Sequence, residues 1–338
     1  MVKKHAPCVM LVFLCIVTLS YANKMIVLNP YENVDWSRCG RYKANLHTHT
    51  TESDGRMALS EVIDEYCKRG YSILSITDHD EFTWPWTWWG CDPDSVGLID
   101  IPGTEASSHH HINSFFCDYN GSSGDIETSL SIIEQKGGLA QINHPGRYFF
   151  KSISWYKRLY DTYDILVAME VFNQGNRYPY DRETWDKLLA RTMPERPVWA
   201  TSGDDMHKRE HLGKNWQVML TENGVLDSSN VRSAFKNGQF YICYDKSGTG
   251  ENSVNIDSII VENGSIKVYA ECADEDIRWI SEGREVHRGG ILSLDDAGTL
   301  GVYVRAEIHG PNDARTLTQP FGLDEKIEHS VSSARNIR

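Results

Sequence analysis

Clusters of basic side chains are missing from this sequence. Asp and Glu number 47 against 34 Lys and Arg, for a formal net charge of −13. A general nucleic-acid binder neutralises phosphates with grouped cations, so this balance argues against that class. It leaves room for a small anionic substrate, because bound metal ions reverse the local field. Beyond the first 22 residues no apolar run is long enough to cross a bilayer. The eight cysteines contain no C-x-x-C, which argues against a thiolate zinc site. The P-loop, the G-x-G-x-x-G fingerprint and the G-x-S-x-G elbow are absent. So are internal repeats and low-complexity tracts. What remains is ordinary globular composition: 40% hydrophobic, 11% aromatic and 24% charged over 338 residues. That length suits one large domain, or one large plus one small.

Residues 1–22 read as a signal peptide. Lys3 and Lys4 supply the positive start, residues 9–18 an apolar run, and Ser20 and Ala22 the small residues before a cut. The expectation is an exported chain, periplasmic or secreted; an uncleaved anchor is the alternative. Cys8 and Cys15 leave with the peptide. Cys39, Cys67, Cys91, Cys117, Cys243 and Cys272 stay, as buried thiols or as disulfides whose pairing the sequence does not define.

From residue 41 to about 244, short apolar strands alternate with amphipathic helices. Strands are expected at 42–47, 72–77, 98–103, 111–116, 139–143, 165–171 and 198–201. Helices are expected at 57–69, 126–135, 184–191 and 229–237. The alternation implies parallel strands covered by helices, so a barrel or a doubly wound sheet. After residue 247 short alternating runs separated by Gly and Asn-Gly predict a small antiparallel β domain with a polar tail. The division is therefore 1–22, 23–246 and 247–338.

The histidines sit at telling places. His47 and His49 close the first strand at i and i+2, a spacing that puts both imidazoles on one face. Asp54 follows in Ser53-Asp54-Gly55. The second strand ends in Asp78-His79-Asp80 and the third in Gly103-Thr104-Glu105. The next apolar run begins at His111. Later strands end in Asn143-His144-Pro145 and in Asp204-Asp205-Met206-His207. Any one of these is a commonplace hydrogen-bonding residue. Together, six strand ends or starts each offer His, Asp or Glu, and in α/β barrels the C-terminal strand ends converge on one mouth. Imidazole and carboxylate without thiolate suit Zn, Mn or Fe. Nine such ligands exceed one tetrahedral ion and predict two or three clustered divalent ions. Burying so many ionisable groups without metal would be costly.

In this order the motifs resemble the PHP (polymerase and histidinol phosphatase) family, over residues 41 to about 245. The resemblance implies a distorted (β/α)7 TIM-like barrel, a trinuclear site and metal-dependent phosphoester hydrolysis. It implies that His47, His49, Glu105 and Asp205 hold one ion. Glu105, His111 and His144 would hold a second, and Asp54, His79 and His207 a third. The C-terminal part resembles the β-sandwich that follows the barrel in exported relatives. Within His109-His110-His111, His111 best matches the family's ligand position. Asp54, where many relatives carry His, resembles the branch of small-molecule phosphatases and cyclic-phosphate hydrolases.

Clustered metals lower the pKa of a shared water, so that hydroxide can attack phosphorus in line. His207 and Asp80 are the candidates for protonating the leaving group. Arg147 is placed to bind the substrate phosphate, as are Lys208 and Arg209. Glu170, at a strand end, is a candidate orienter of a ligand imidazole. Trp84, Trp86, Trp88 and Trp89 either stack on a sugar, base or aryl group or pack against the fold. Asn120 and Asn263 head N-x-S sequons, which matter only in a eukaryotic secretory route. The favoured reading is a phosphoesterase acting on a small molecule, with no nucleic-acid partner. The alternatives are a nuclease or nucleotide phosphodiesterase, and a carbohydrate- or envelope-binding protein whose barrel is inactive. The complete ligand set argues against the last.

Overall fold

A computed structural model describes residues 24–325, apart from residues 122, 296 and 298. The expected leader, 1–22, and the tail beyond 325 lie outside the described residues. Strands β1 (Lys24–Leu28) and β2 (Gly40–Asn45) precede helix α1 (Leu59–Lys68). The apolar spacing of α1 works as expected: Leu59, Val62, Ile63 and Tyr66 are buried on one face, each contributing about 1.5–3 kcal/mol. Glu61 accepts the Ala58 N–H at the start, and Gly70, at φ +71°, ends the turn.

Next come β3 (Ile73–Leu74), the short α2 (Pro93–Val96), β4 (Ile99–Asp100), β5 (Gly103–Ala106) and β6 (Ile112–Phe115). The strand expected at 98–103 is two strands in different sheets. Pro102 lies between them, and proline cannot donate to a ladder. Helix α3 (Ile126–Gln135), capped by Asp125, leads to β7 (Leu139–Ile142). Helix α4 (Ile153–Thr162), which the sequence reading missed, buries Tyr156, Leu159 and Tyr160. Its buried face is largely tyrosine, a weak apolar signal. Strand β8 (Leu166–Asn173), helix α5 (Tyr180–Thr192), strands β9 (Trp199–Gly203) and β10 (Asn215–Thr221), helix α6 (Ser228–Asn237) and strand β11 (Phe240–Tyr244) follow. Helix α5 starts four residues earlier than its apolar pattern suggested, because its first turn is polar.

The C-terminal strands are β12 (Ile256–Glu262), β13 (Ser265–Ala270), β14 (Ile277–Ser281), β15 (Arg284–Arg288), β16 (Ile291–Ser293), β17 (Tyr303–His309), β18 (Arg315–Leu317) and β19 (Phe321–Glu325). The start of the polar tail thus forms a strand, β19, which pairs with β1.

The fold is mixed α/β. One sheet runs β5-β6-β7-β8-β9 and another β1-β19-β17-β18-β11-β10-β2-β3-β4, with β14 and β15 attached to the second. Strands β12, β13 and β16 form a third, antiparallel sheet. The expected parallel order holds for β2-β3-β4 and β7-β8-β9. It fails at β5-β6-β7, which is antiparallel. The short 107–111 connection cannot make the crossover that parallel strands require. Two isolated parallel bridges, Thr48 to Met206 and His79 to Glu105, join the first two sheets at the ends of β2 and β3.

One core lies between the five-stranded sheet and helices α3 to α6. A second runs beneath α1 and on into the C-terminal strands, where Ile259, Val268, Trp279 and Ile308 are buried. Hydrogen bonds between β11 and β18 make one sheet continuous across residue 246. All six cysteines of the described residues are unpaired thiols. No helix among the described residues is long and apolar enough to cross a membrane.

Candidate metal centre

Glu105 is the hub of the site. It sits on β5, fully buried. Its Oε2 lies 3.2 Å from His47 Nε2, 3.2 Å from His49 Nε2 and 3.1 Å from His79 Nδ1. Its Oε1 lies 3.0 Å from His111 Nδ1 and 3.3 Å from His144 Nε2, and accepts the Asn143 amide at 2.7 Å. Asp205 Oδ1 is 3.4 Å from His47 Nε2 and 3.1 Å from His49 Nε2. Asp54 Oδ1 is 3.1 Å from His207 Nε2 and 3.7 Å from His79 Nε2. All nine sequence-predicted ligands therefore converge.

Three groups of ligand atoms lie within 4.8 Å of one another: His47, His49, Glu105 and Asp205; His79, Glu105 and His111; and His49, Asp54, His79 and His207. The first is the set the family resemblance implied. The second has His79 where His144 was expected, with His144 beside Glu105. The third adds His49.

Several of these atoms are buried and make no hydrogen bond: His47 Nε2, His49 Nε2, His79 Nδ1, Glu105 Oε2 and Asp205 Oδ1. Orphaned polar atoms that face one another at about 3 Å fit a shared cation. Burial alone would disfavour charge on His47, but Glu105, Glu170 and Asp205 outweigh it and hold its pKa well above the ordinary value. His49 is raised to about 9, against its burial, by Asp205 and Glu105. Burial opposes the ionised forms of Glu105 and Asp205, yet the imidazoles hold both carboxyls well below their usual range. A divalent ion would take the place of the protons these atoms share.

Buried polar residues aim the ligands. Glu170 on β8 accepts His47 Nδ1–H at 3.0 Å and the His144 backbone N–H at 3.0 Å. Asp78 accepts from Thr50 N and Oγ1, both at 2.7 Å, from Ser53 Oγ at 2.6 Å and from Thr83 Oγ1 at 2.7 Å. It thereby holds the loop that carries Asp54. In that loop a Cβ on Gly55 would lie 2.7 Å from the His49 carbonyl, so only glycine fits. Asp204 accepts the N–H groups of Gly213, Lys214 and Asn215 at 2.7–2.9 Å and anchors the loop after β9. Asp205 (φ +44°) and His144 (φ +28°) hold strained backbone, which the surrounding contacts must stabilise.

The three consecutive histidines separate cleanly. His111 faces Glu105. His110 stacks on Tyr148 with centroids 3.9 Å apart and meets Tyr156 Oη at 2.9 Å. His109 meets Ser129 Oγ at 2.6 Å.

Arg147, His207 and Lys208 line the metal-site cavity, of about 620 Å³. Two of the residues the sequence singled out near the site lie elsewhere. Asp80 is bonded to Ser107, whose N–H and Oγ donate to it at 3.0 and 2.6 Å, and it does not line the cavity. Arg209 pairs with Glu65. Trp86 is buried, while Trp84 and Trp88 line a separate cavity of about 580 Å³ with Phe82 and Tyr119. Asp78, Asp204, Gln174, Arg56, Arg177 and Tyr178 were not singled out. For the first two the signal was an Asp beside a ligand; the others had none.

Fold and site together define a mixed α/β protein with a buried cluster of histidines and carboxylates that could hold metal ions. No family model matches the chain. The fold is shared with a two-domain protein from Bacteroides vulgatus that contains a predicted PHP-like metal-dependent phosphoesterase. The TM-score is 0.54 at 16% identity, covering 88% of this chain and 97% of that one. A lesion-specific endonuclease from Pyrococcus furiosus aligns at TM-score 0.41 and 12% identity, over 58% of this chain and 56% of its own. By sequence, the DNA polymerase/3'-5' exonuclease PolX of Bacillus subtilis is 33% identical over 51 residues, 15% of this chain and 9% of that protein. The match therefore spans under a tenth of that relative's length. The PHP resemblance carried by the motifs is supported by the shared fold, and the histidine-carboxylate cluster fits divalent metal ions.

Proposed function

We propose that this chain is an exported metal-dependent phosphoesterase that hydrolyses a small-molecule phosphoester. The observation that carries the reading is Glu105, a buried carboxylate within 3.0–3.3 Å of five imidazoles. The nine ligands would hold two or three divalent ions of the Zn, Mn or Fe type. Bound there, such ions acidify water and offset negative charge on phosphoryl oxygens. Arg147 would bind a non-bridging phosphate oxygen from the cavity wall. Of the two proton-donor candidates, His207 lines the cavity, and Asp80 is engaged with Ser107. Glu170 and Asp78 keep the ligand imidazoles and Asp54 in place. The reading as a distorted (β/α)7 barrel is supported by the bridges at the two seams between the sheets. The division at residue 246 and export through the 1–22 leader are part of the same proposal.

The test uses residues 23–338. Metal content is measured by elemental analysis. Rates with added Mn or Zn are compared on an aryl phosphate monoester and the matching diester. The expected result is at least two ions per chain and turnover of one ester, both abolished in Asp205→Ala with the fold retained. Full metal occupancy and normal rates in Asp205→Ala would overturn the assigned site.

A further inference from the structure

The metal-site cavity has a feature that ligation does not use. Gln174, just after β8, donates from Nε2 to the Asp205 carbonyl at 3.0 Å and accepts Arg177 Nη1–H at its Oε1 at 2.8 Å. Two hydrogen bonds thus tie the Arg177 guanidinium to the backbone of a central ligand residue. The guanidinium lies 5.1 Å from the centre of the Tyr178 ring, and that ring lies 5.8 Å from the ring of His144. Arg177 is exposed yet held beside the cluster. Among the described residues it forms no ion pair, in a chain with a formal charge of −13. Arg56, Arg147 and Lys208, which line the same cavity, form none either. Arg209, close by in sequence but not lining it, does pair, with Glu65.

The cations fall on two sides. Arg147 and Arg177 lie toward His144. Arg56 lies toward His207, whose carbonyl accepts the Arg56 N–H at 2.8 Å, and Lys208 follows His207 in the chain. In the phosphoesterase reading one phosphate group would engage metal ions held by the cluster and Arg147, which leaves the Arg177 guanidinium without a role. No aliphatic side chain lines this cavity among the described residues, so an apolar leaving group would gain little there. A planar, always-charged fork held in place loses little entropy when it captures an anion.

We propose that Arg177 is a specificity-determining residue. It binds a second anionic group, phosphate or carboxylate, on a small polar substrate whose phosphoester sits at the metals. The inference rests on the phosphoesterase reading above and adds the substrate's second charge.

The test uses three probes on one carbon scaffold: glycerol 3-phosphate, 3-phosphoglycerate and glycerol 1,3-bisphosphate. Steady-state rates and calorimetric binding are measured for the wild-type chain, Arg177→Met and Arg177→Lys. The expected result is about tenfold higher kcat/KM for one or both doubly anionic probes than for glycerol 3-phosphate, expressed in KM. Arg177→Met should bring that preference close to unity, and Arg177→Lys should keep part of it. Whether carboxylate or phosphate gains more identifies the second group. Equal kcat/KM on all three probes in the wild type, or an undiminished preference in Arg177→Met, overturns the inference and leaves the phosphoesterase reading standing. If no probe and neither aryl ester is turned over, the phosphoesterase reading falls. Calorimetry then decides the subsite alone: equal wild-type affinity for the three probes overturns it.

Discussion

Glu170 never touches the cavity, yet it decides how two ligands point. One of its oxygens holds the His47 ring by Nδ1, leaving Nε2 to face Glu105 and Asp205. The other holds the backbone at His144, where φ is +28°. Carboxylates in this position usually set ligand affinity by about 10–100-fold. Glu170→Gln keeps the volume but removes the charge and one acceptor. We expect metal affinity to fall by about that factor, read by titration against a chelator, with the unfolding midpoint little changed. Unchanged affinity would show that His47 is oriented by something else. The residue scale also explains the histidine run. His110 and His109 are occupied by Tyr156 and Ser129, so the choice of His111 rests on partners that lie 46 and 20 residues away in the chain.

At the scale of elements, Asp78 closes a loop onto a strand. The strand end that carries His79 supplies, one residue earlier, the acceptor for Thr50, Ser53 and Thr83. Asp54 reaches His207 because the loop 50–55 is pinned at this point. Asp78→Ala leaves buried donors without their acceptor, an expected loss of order 3 kcal/mol in urea unfolding. It also frees Asp54, so bound metal should drop by one ion per chain on elemental analysis. Retention of the full metal complement would separate Asp54 from the loop's anchoring. The helices were largely legible in sequence because their apolar faces repeat every three to four residues, as in α1. The exceptions have physical causes. Helix α4 buries tyrosines, and the polar first turn of α5 hides Asp181, a buried residue that accepts the Gly146 N–H.

At the scale of the whole molecule, α5 connects the C-terminal strands to the metal centre. Asp186 on α5 receives the Arg305 guanidinium from β17 at 3.0 and 3.1 Å and the Tyr303 hydroxyl at 2.7 Å. Arg305 also pairs with Glu307 at 3.1 Å. At its other end α5 holds Gly146, two residues beyond His144, through Asp181. Burial would push the Glu307 carboxyl up, but the hydrogen bond with His309 and the Arg305 charge hold it well below the usual range. A carboxyl depressed in the folded state stabilises in full above its unfolded pKa, about 4.3, and that contribution is lost as pH falls toward the folded value. The urea midpoint of the wild type should therefore fall between pH 5 and pH 3 more steeply than that of Glu307→Gln, which starts lower at neutral pH. Parallel pH profiles would remove Glu307 from the acid response.

The donor chemistry of the site was legible from residue types alone. Imidazoles and carboxylates at strand ends, without thiolates, suit divalent ions of the Zn, Mn or Fe type whatever the packing, because ligand type is a property of the side chain. The sequence also determined most elements, since periodicity is local. The tertiary structure alone decided that Glu105 is the hub, that His79 and His49 each serve two ligand groups, and that the tryptophan loop lines a cavity of its own. It decided too that β5 and β6 run antiparallel and that the C-terminal strands continue the sheet of β2, β10 and β11. A period of two residues says which face a side chain takes. It does not say how far that face lies from another strand end tens of residues away. That distance is set by strand order and by buried carboxylates such as Asp78, Glu170 and Asp204, whose hydrogen-bond partners become neighbours only when the chain folds.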